Sequence, residues 1–184
     1  MENTVNIEAT KALLPLAAEK DIRFYMNGVY IDFQVDKTIY VATNGHILGV
    51  YTEDAENEHT FTVIIPRDVV KQLKPKKGTA KWGKLVFDPE SNSGRVLNPA
   101  NSQDLGFTPL GGSYPDYLRV IPDKTSGEVG QFDAEYLYAF AQVNKALGAS
   151  NPGVFKLDHN GERGAALVHL FDDNFTGVIM PIRV

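Results

Sequence analysis

One arrangement recurs three times along this chain and limits its fold more than any other feature: an extended segment runs into a helix and is followed by three further extended segments. In the first copy Thr4 to Ile7 leads into a helical stretch from about Ala9 to Lys20, whose Leu13, Leu14, Leu16 and Ala17 fall near one face. Pro15 should bend or restart that helix, because it lacks the N–H that a helix interior uses. Arg23 to Val35 follows, with Val29, Ile31, Phe33 and Val35 alternating with Tyr30, Asp32 and Gln34, and then Thr38 to Thr43 and His46 to Thr52. Such alternation predicts antiparallel strands with one face buried.

The second copy opens at Thr60 to Ile65, uses Pro66 at a helix start, and places a short helix from about Arg67 to Leu73. Strands are expected near Ala80 to Asp88, Gly94 to Asn98 and Asp104 to Pro109. The third copy opens at Glu128 to Phe132, with Asp133 capping a helix that runs to about Leu147 and stops at Gly148. Strands near Val154 to Asp158, Ala165 to Phe171 and Thr176 to Ile182 complete it. The reading is an α+β chain of three βαβββ half-domain units, with antiparallel sheets outside and helices on one face. A domain of two half-units (about 1–58 and 59–122), a linker at 123–127 and a single half-domain at 128–184 are expected. Each unit needs a neighbour to cover its sheet, and unpaired edges on the outer units favour self-association.

The 184 residues contain no cysteine, which excludes disulfides, thiolate metal sites and thiol nucleophiles. Met1 to Thr4 lacks the basic and apolar regions of a signal peptide, and no run approaches the ~18 apolar residues of a membrane span, so a cytoplasmic protein with no membrane partner is expected. The net charge is −5, yet Arg67, Lys71, Lys74, Lys76, Lys77, Lys81 and Lys84 stand against Asp68 alone. That run is either a contact stripe for phosphate or a solvated face. His46, His59, His159 and His169 show no metal-ligand spacing, and no Gly-x-Ser-x-Gly elbow or phosphate-binding glycine loop occurs. No catalytic residue, metal or cofactor is called for. An enzymatic alternative would have to use His46 with Asp116 or Tyr117. Asn44-Gly45-His46 reads first as a tight hairpin turn, and Tyr114-Pro115-Asp116-Tyr117 as packing at sheet ends.

Taken in order, Arg23-Phe24-Tyr25-Met26-Asn27-Gly28, Val41-Ala42-Thr43-Asn44-Gly45-His46, Val63-Ile64-Ile65-Pro66-Arg67, the block from Tyr114 to Pro122, and Met180-Pro181-Ile182-Arg183-Val184 resemble the bacterial DNA polymerase III beta sliding clamp family. The resemblance covers nearly the whole chain. Residues 1 to about 122 look like the family's middle domain and about 127 to 184 like the second half of its third domain, with its first domain and the first half of the third absent. It implies a DNA clamp-like fold without catalytic activity, in which helices line a DNA hole and sheet edges join subunits into a ring of twelve such units. Four chains of three units, a homo-oligomer, would supply that number.

The resemblance also implies where partners dock. An apolar peptide pocket would be built from Met26, Thr43, Gly45, His46, Leu48, Ile121 and Pro122, with Val178, Met180, Pro181, Ile182 and Arg183 as its other wall. Its occupant would be a DNA polymerase or another protein carrying a clamp-binding peptide. Soft Met26 and Met180 suit a groove that takes varied apolar side chains. Duplex DNA would be touched at phosphate, without sequence readout, by Arg23, Phe24, Tyr25, Arg67, Lys71 and Lys74. Where the family commonly has Asp-Gly-His-Arg this chain has Asn44-Gly45-His46-Ile47, which removes a charge pair beside the pocket. The implied function is a processivity or scaffold protein; the alternative is a pocket-only regulator or decoy, of phage or mobile-element type, that binds clamp partners without encircling DNA.

Overall fold

The computed structural model describes residues 1–75 and 81–182. Lys76 and Lys77 of the basic run, Ala80 of an expected strand, and Arg183 of the expected pocket lie outside the described residues. Among the described residues three α-helices form: α1 (Ile7–Ala12), α2 (Arg67–Gln72) and α3 (Ala134–Ala146). Eleven strands accompany them among the described residues: β1 (Glu2–Asn6), β2 (Gly28–Phe33), β3 (Lys37–Thr43), β4 (Ile47–Asp54), β5 (Phe61–Pro66), β6 (Trp82–Asp88), β7 (Ser93–Asn98), β8 (Gln103–Phe107), β9 (Lys156–Asp158), β10 (Ala166–His169) and β11 (Phe175–Ile179).

Local chemistry sets the helix ends. The Asn6 side chain accepts the Ala9 N–H at 2.9 Å to start α1, and the α-helix stops at Ala12, ahead of Pro15, which sits inside a separate 3-10 turn at Leu14–Leu16. The helix expected to reach Lys20 is therefore much shorter. Asp133 caps α3 by accepting the Glu135 N–H at 2.8 Å, and Gly148 closes it at φ 96. Two expected strands are corrected. Arg23 to Val35 is a 3-10 turn at Phe24–Met26 followed by β2, and residues 128 to 132 form no strand.

The strands make two antiparallel sheets, ordered β1-β6-β7-β8 and β5-β2-β3-β4-β11-β10-β9. The first two units exchange their opening strands: β1 pairs with β6 of the second unit, and β5 pairs with β2 of the first. The third unit joins the first edge to edge, β11 on β4, with Ile179 opposite Ile47 and Phe175 opposite Tyr51, so one sheet runs across the expected division at 122. All three helices pack on one side of these sheets, over a core that includes Leu13, Leu16, Tyr40, Phe140, Val143 and Ile179.

The long sheet is buried on both faces at its centre, which departs from the one-sided strands expected. Ile39, Val41, Leu48, Val50 and Val178 form a second cluster on the face away from the helices, roofed by Tyr30, Tyr114, Tyr117 and Ile121. Tyr114 stacks on Tyr30 with ring centroids 4.6 Å apart. The chain after β8, through Tyr114, Tyr117 and Ile121, thus crosses the outer face as a strap, and the strap shapes the site described next.

Candidate functional site

Four segments converge on the outer face where the first and third units meet. Met26 comes from the turn before β2; Thr43, Gly45, His46 and Leu48 come from the β3–β4 hairpin; Val178 and Met180 come from the end of β11; Pro115, Asp116, Tyr117 and Val120 come from the strap. They enclose an open cleft of about 320 Å³.

The hairpin is shaped by its own side chains. Asn44 Oδ1 accepts the N–H groups of His46 and Ile47 at 2.9 and 3.0 Å, while Thr43 Oγ1 accepts the Gly45 N–H at 3.0 Å and donates to the Ile47 carbonyl at 2.7 Å. Gly45 adopts φ 92, a region that residues with a Cβ enter at a cost. A Cβ there would also lie 3.1 Å from the Arg23 guanidinium. The Asn-Gly pair is therefore the tight turn its sequence indicates, and it seats Arg23 beside the cleft.

Two contacts tie the hairpin to the third unit. The Met180 N–H donates to the His46 carbonyl at 2.9 Å, and the His46 ring stacks on Tyr136 of α3 with centroids 5.6 Å apart. The cleft is mostly apolar, with one cation and one anion in its lining. Arg23 binds Asp21 through two nitrogens, at 3.0 and 2.8 Å, and these bonds hold the Asp21 carboxyl down at about 2. Asp116 pairs with Arg119 at 3.0 Å. Burial pushes the Tyr117 hydroxyl up to about 12.

Of the residues expected in a pocket, Met26, Thr43, Gly45, His46, Leu48, Val178 and Met180 line this cleft together. Ile121 packs from the strap onto the second cluster and, like Pro122, Pro181 and Ile182, is not in the lining. Sequence reasoning missed Ile47, Pro115, Asp116, Tyr117 and Val120. Tyr117 and Val120 share one 3-10 turn, in which side chains three apart eclipse; that spacing, present in the sequence, marks them rather than Ile121 as the inward pair. His46, Asp116 and Tyr117 do share the cleft, but Asp116 is engaged by Arg119 and the His46 ring by Tyr136. Among the described residues no cluster of three or more His, Asp and Glu could hold a metal ion.

The expected DNA contacts do not form one group. Arg23 stands on the cleft wall, with Phe24 and Tyr25 beside it in edge-to-face contact, centroids 5.9 Å apart. Arg67 is turned inward, donating to the carbonyls of Leu14 and Ala17 at 2.7 and 2.9 Å. Lys71 and Lys74 are exposed. The Lys11 ammonium binds the carbonyls of Val70 and Lys71 at the end of α2, and burial, with repulsion from Lys71, lowers its pKa. Farther along the basic run, Lys84 pairs with Glu2 at 2.6 Å and Lys81 lies over the Trp82 ring.

Residues 6–86 match the family model of the DNA polymerase III beta subunit central domain. The beta sliding clamp of Pseudomonas putida is 32% identical over 113 residues, 57% of this chain and 28% of that protein. That of Escherichia coli K12 is 31% identical over 124 residues, 63% of this chain and 30% of that protein. The chain thus spans under a third of the length of these curated relatives. In fold, a crystal structure of the Pseudomonas aeruginosa sliding clamp matches all of this chain and 66% of its own, with a TM-score of 0.75 at 16% identity. The Thermotoga maritima beta subunit matches all of it at 0.69 and 14%. Over residues 6–86 the sequence thus matches the DNA polymerase III beta central domain, and over its described length the chain has the fold of the sliding clamps.

Proposed function

We propose that this protein acts in DNA replication as a clamp-like processivity or scaffold factor, non-catalytic, that tethers a polymerase or other partners through short peptides held in the cleft. The observation that carries this reading is the cleft itself, in which Met26, Leu48, Val178 and Met180 offer apolar surface between two units. A peptide with spaced Leu and Phe side chains fits that chemistry: its apolar groups leave water while the Arg23–Asp21 pair at the cleft wall borders a polar flank. Duplex DNA would be met at phosphate by Lys71 and Lys74 and at the rim by Arg23, Phe24 and Tyr25. The chain would work as a homo-oligomer, since three half-units do not close a ring.

The test is a fluorescence anisotropy titration of a labelled peptide of Gln-Leu-x-Leu-Phe type against the protein and its Met180→Ala variant. Saturable binding weakened by the substitution supports the reading; no binding at up to about millimolar protein, where affinity would be only ~4 kcal/mol, removes it. One observation favours the second reading, a regulator or decoy that occupies clamp partners without encircling DNA: Arg67, the arginine at the start of α2, is held against backbone carbonyls and is not free to meet phosphate. Peptide binding without retention on closed circular DNA would select that reading.

A further inference from the structure

The first two units complete each other by one rule. In both, the residue that caps the helix lies opposite the first residue of the receiving strand: Asn6 opposite Trp82, and Pro66 opposite Gly28. The residue before the cap, Val5 or Ile65, is buried in the core. The third unit has the same parts without the exchange. Its β9 is the last strand of its sheet, its opening segment 128–132 is paired in no sheet, and Phe132, the residue before the Asp133 cap, already packs on the core as Val5 and Ile65 do. Val129 and Val154 are each 75% exposed and Phe171 is 70% exposed. Val154 and Phe171 flank β9 in an open groove of about 610 Å³ that also holds Lys156 and His169.

We propose that a second copy of this chain completes the third unit: two third units meet about a two-fold axis and exchange residues 128–132, each segment adding an antiparallel strand to the partner's β9. Donor and receiver are both present in one chain, so the contact is isologous and closes on itself. The rule followed by β1 and β5 sets the register. Asp133 lies opposite Lys156 of the partner subunit, Phe132 opposite Leu157 of the partner subunit, and Gln131 opposite Asp158 of the partner subunit. The first pair is complementary in charge. In the single chain the segment rests on its own unit, through Gly127 N–H to the His159 carbonyl at 2.8 Å, Gly161 N–H to the Glu128 carbonyl at 2.7 Å and Ile182 N–H to the Gln131 carbonyl at 2.9 Å. Exchange trades those bonds for a strand ladder and covers Val154 and Phe171. A three-residue edge that carries Lys156 resists pairing with arbitrary strands, which leaves the matched segment as its partner.

This pairing deepens the oligomer proposed above and rests on it, but association is measured without DNA or peptide, so either can fail alone. The chain has no native cysteine, so Gln131→Cys and Asp158→Cys are made in separate chains, mixed, incubated and oxidised. A disulfide-linked dimer in the mixture, absent from either variant alone, is expected. Val154→Glu should weaken association by about tenfold or more, as for an interface hot spot, with the unfolding midpoint of the dilute, dissociated protein unchanged. A monomer in sedimentation at about 100 μM, where even a weak dimer of ~5 kcal/mol would be populated, overturns the proposal. So does a dimer that Leu157→Cys alone cross-links while the mixed pair does not, since that reports β9 against β9.

Discussion

Gly49 and Gly177 lie directly opposite each other where β4 of the first unit pairs with β11 of the third. Neither has room for a side chain. A Cβ on Gly49 would stand 2.3 Å from Leu16 Cδ1, and one on Gly177 would stand 2.8 Å from the Phe140 ring and 2.9 Å from Val168 Cβ. Glycine within a strand ordinarily weakens it; here the pair lets the helix layer reach down to the seam between units. Gly177→Ala should therefore lower stability by about 1–3 kcal/mol. Gly49→Ala should cost less, because a Cβ there meets only side-chain ends, Leu16 Cδ1 and the Phe175 ring at 2.8 Å, whereas Val168 Cβ beside Gly177 is fixed to the backbone. Urea midpoints of the two variants check the order, and equal midpoints would contradict it.

Local features of the fold were legible residue by residue. Asp133, Gly148, Pro15 and the Asn44-Gly45 turn each act within a few positions of themselves, and each does what its chemistry predicts. What alternation does not encode is the partner. Nothing in Glu2 to Asn6 says that its ladder is β6, some eighty residues on, and an extended segment such as 128–132 becomes a strand only when another chain segment lends it hydrogen bonds. The cleft was half legible for the same reason: the hairpin and tail residues are marked by their motifs, whereas Pro115 and Asp116 enter because the strap lies over an apolar outer face. Arg67 shows the converse, a cation in a basic run whose geometry directs it to carbonyls.

Arg67 offers a clean separation of structure from DNA contact. Its guanidinium satisfies two carbonyls at the end of the 3-10 turn and is only 23% exposed. Arg67→Ala should cost about 1.5–3 kcal/mol of stability, the range of hydrogen bonds to charged groups, and leave the salt dependence of any DNA binding unchanged. Lys71→Glu with Lys74→Glu should do the reverse, holding the unfolding midpoint while flattening the salt slope by about one unit per lost phosphate contact. Titrations at several salt concentrations, run beside urea melts, read both.

Glu53 predicts a pH dependence. Its carboxylate accepts from Asn6 Nδ2 at 2.8 Å and from the Tyr40 hydroxyl at 2.7 Å, which links the start of α1 to β3 and β4. Burial nevertheless raises its pKa above the ordinary glutamate value of 4.5. The folded state then binds the proton more tightly than the unfolded chain, so stability from this group is fully present below 4.5 and is lost as pH rises to the raised value. Subtracting the urea stability of Glu53→Gln at each pH should leave a difference that falls with rising pH across that window and is level on either side. Depressed carboxylates such as Asp21 and Asp158 act in the opposite sense at lower pH and are common to both proteins. A level difference throughout would show that the two hydrogen bonds offset the desolvation.

Met180 and Pro181 are adjacent in sequence, yet only Met180 lines the cleft, so they divide peptide contact from mere proximity. If a peptide's apolar side chain sits between Met26, Leu48 and Met180, truncating Met180 removes direct contact and should weaken binding by about 1–3 kcal/mol, roughly 5- to 150-fold. Pro181→Ala should stay within about twofold, since no cleft surface is lost. Val178→Ala gives the stability control: its side chain is buried in the outer cluster with Leu48, so it should lower the unfolding midpoint as a core truncation does, by about 1–3 kcal/mol. Anisotropy titrations of the three variants, each paired with a urea melt, decide the matter. Equal losses for Met180→Ala and Pro181→Ala would place the peptide along the C-terminal tail instead of in the cleft, where Met180 meets the hairpin of His46.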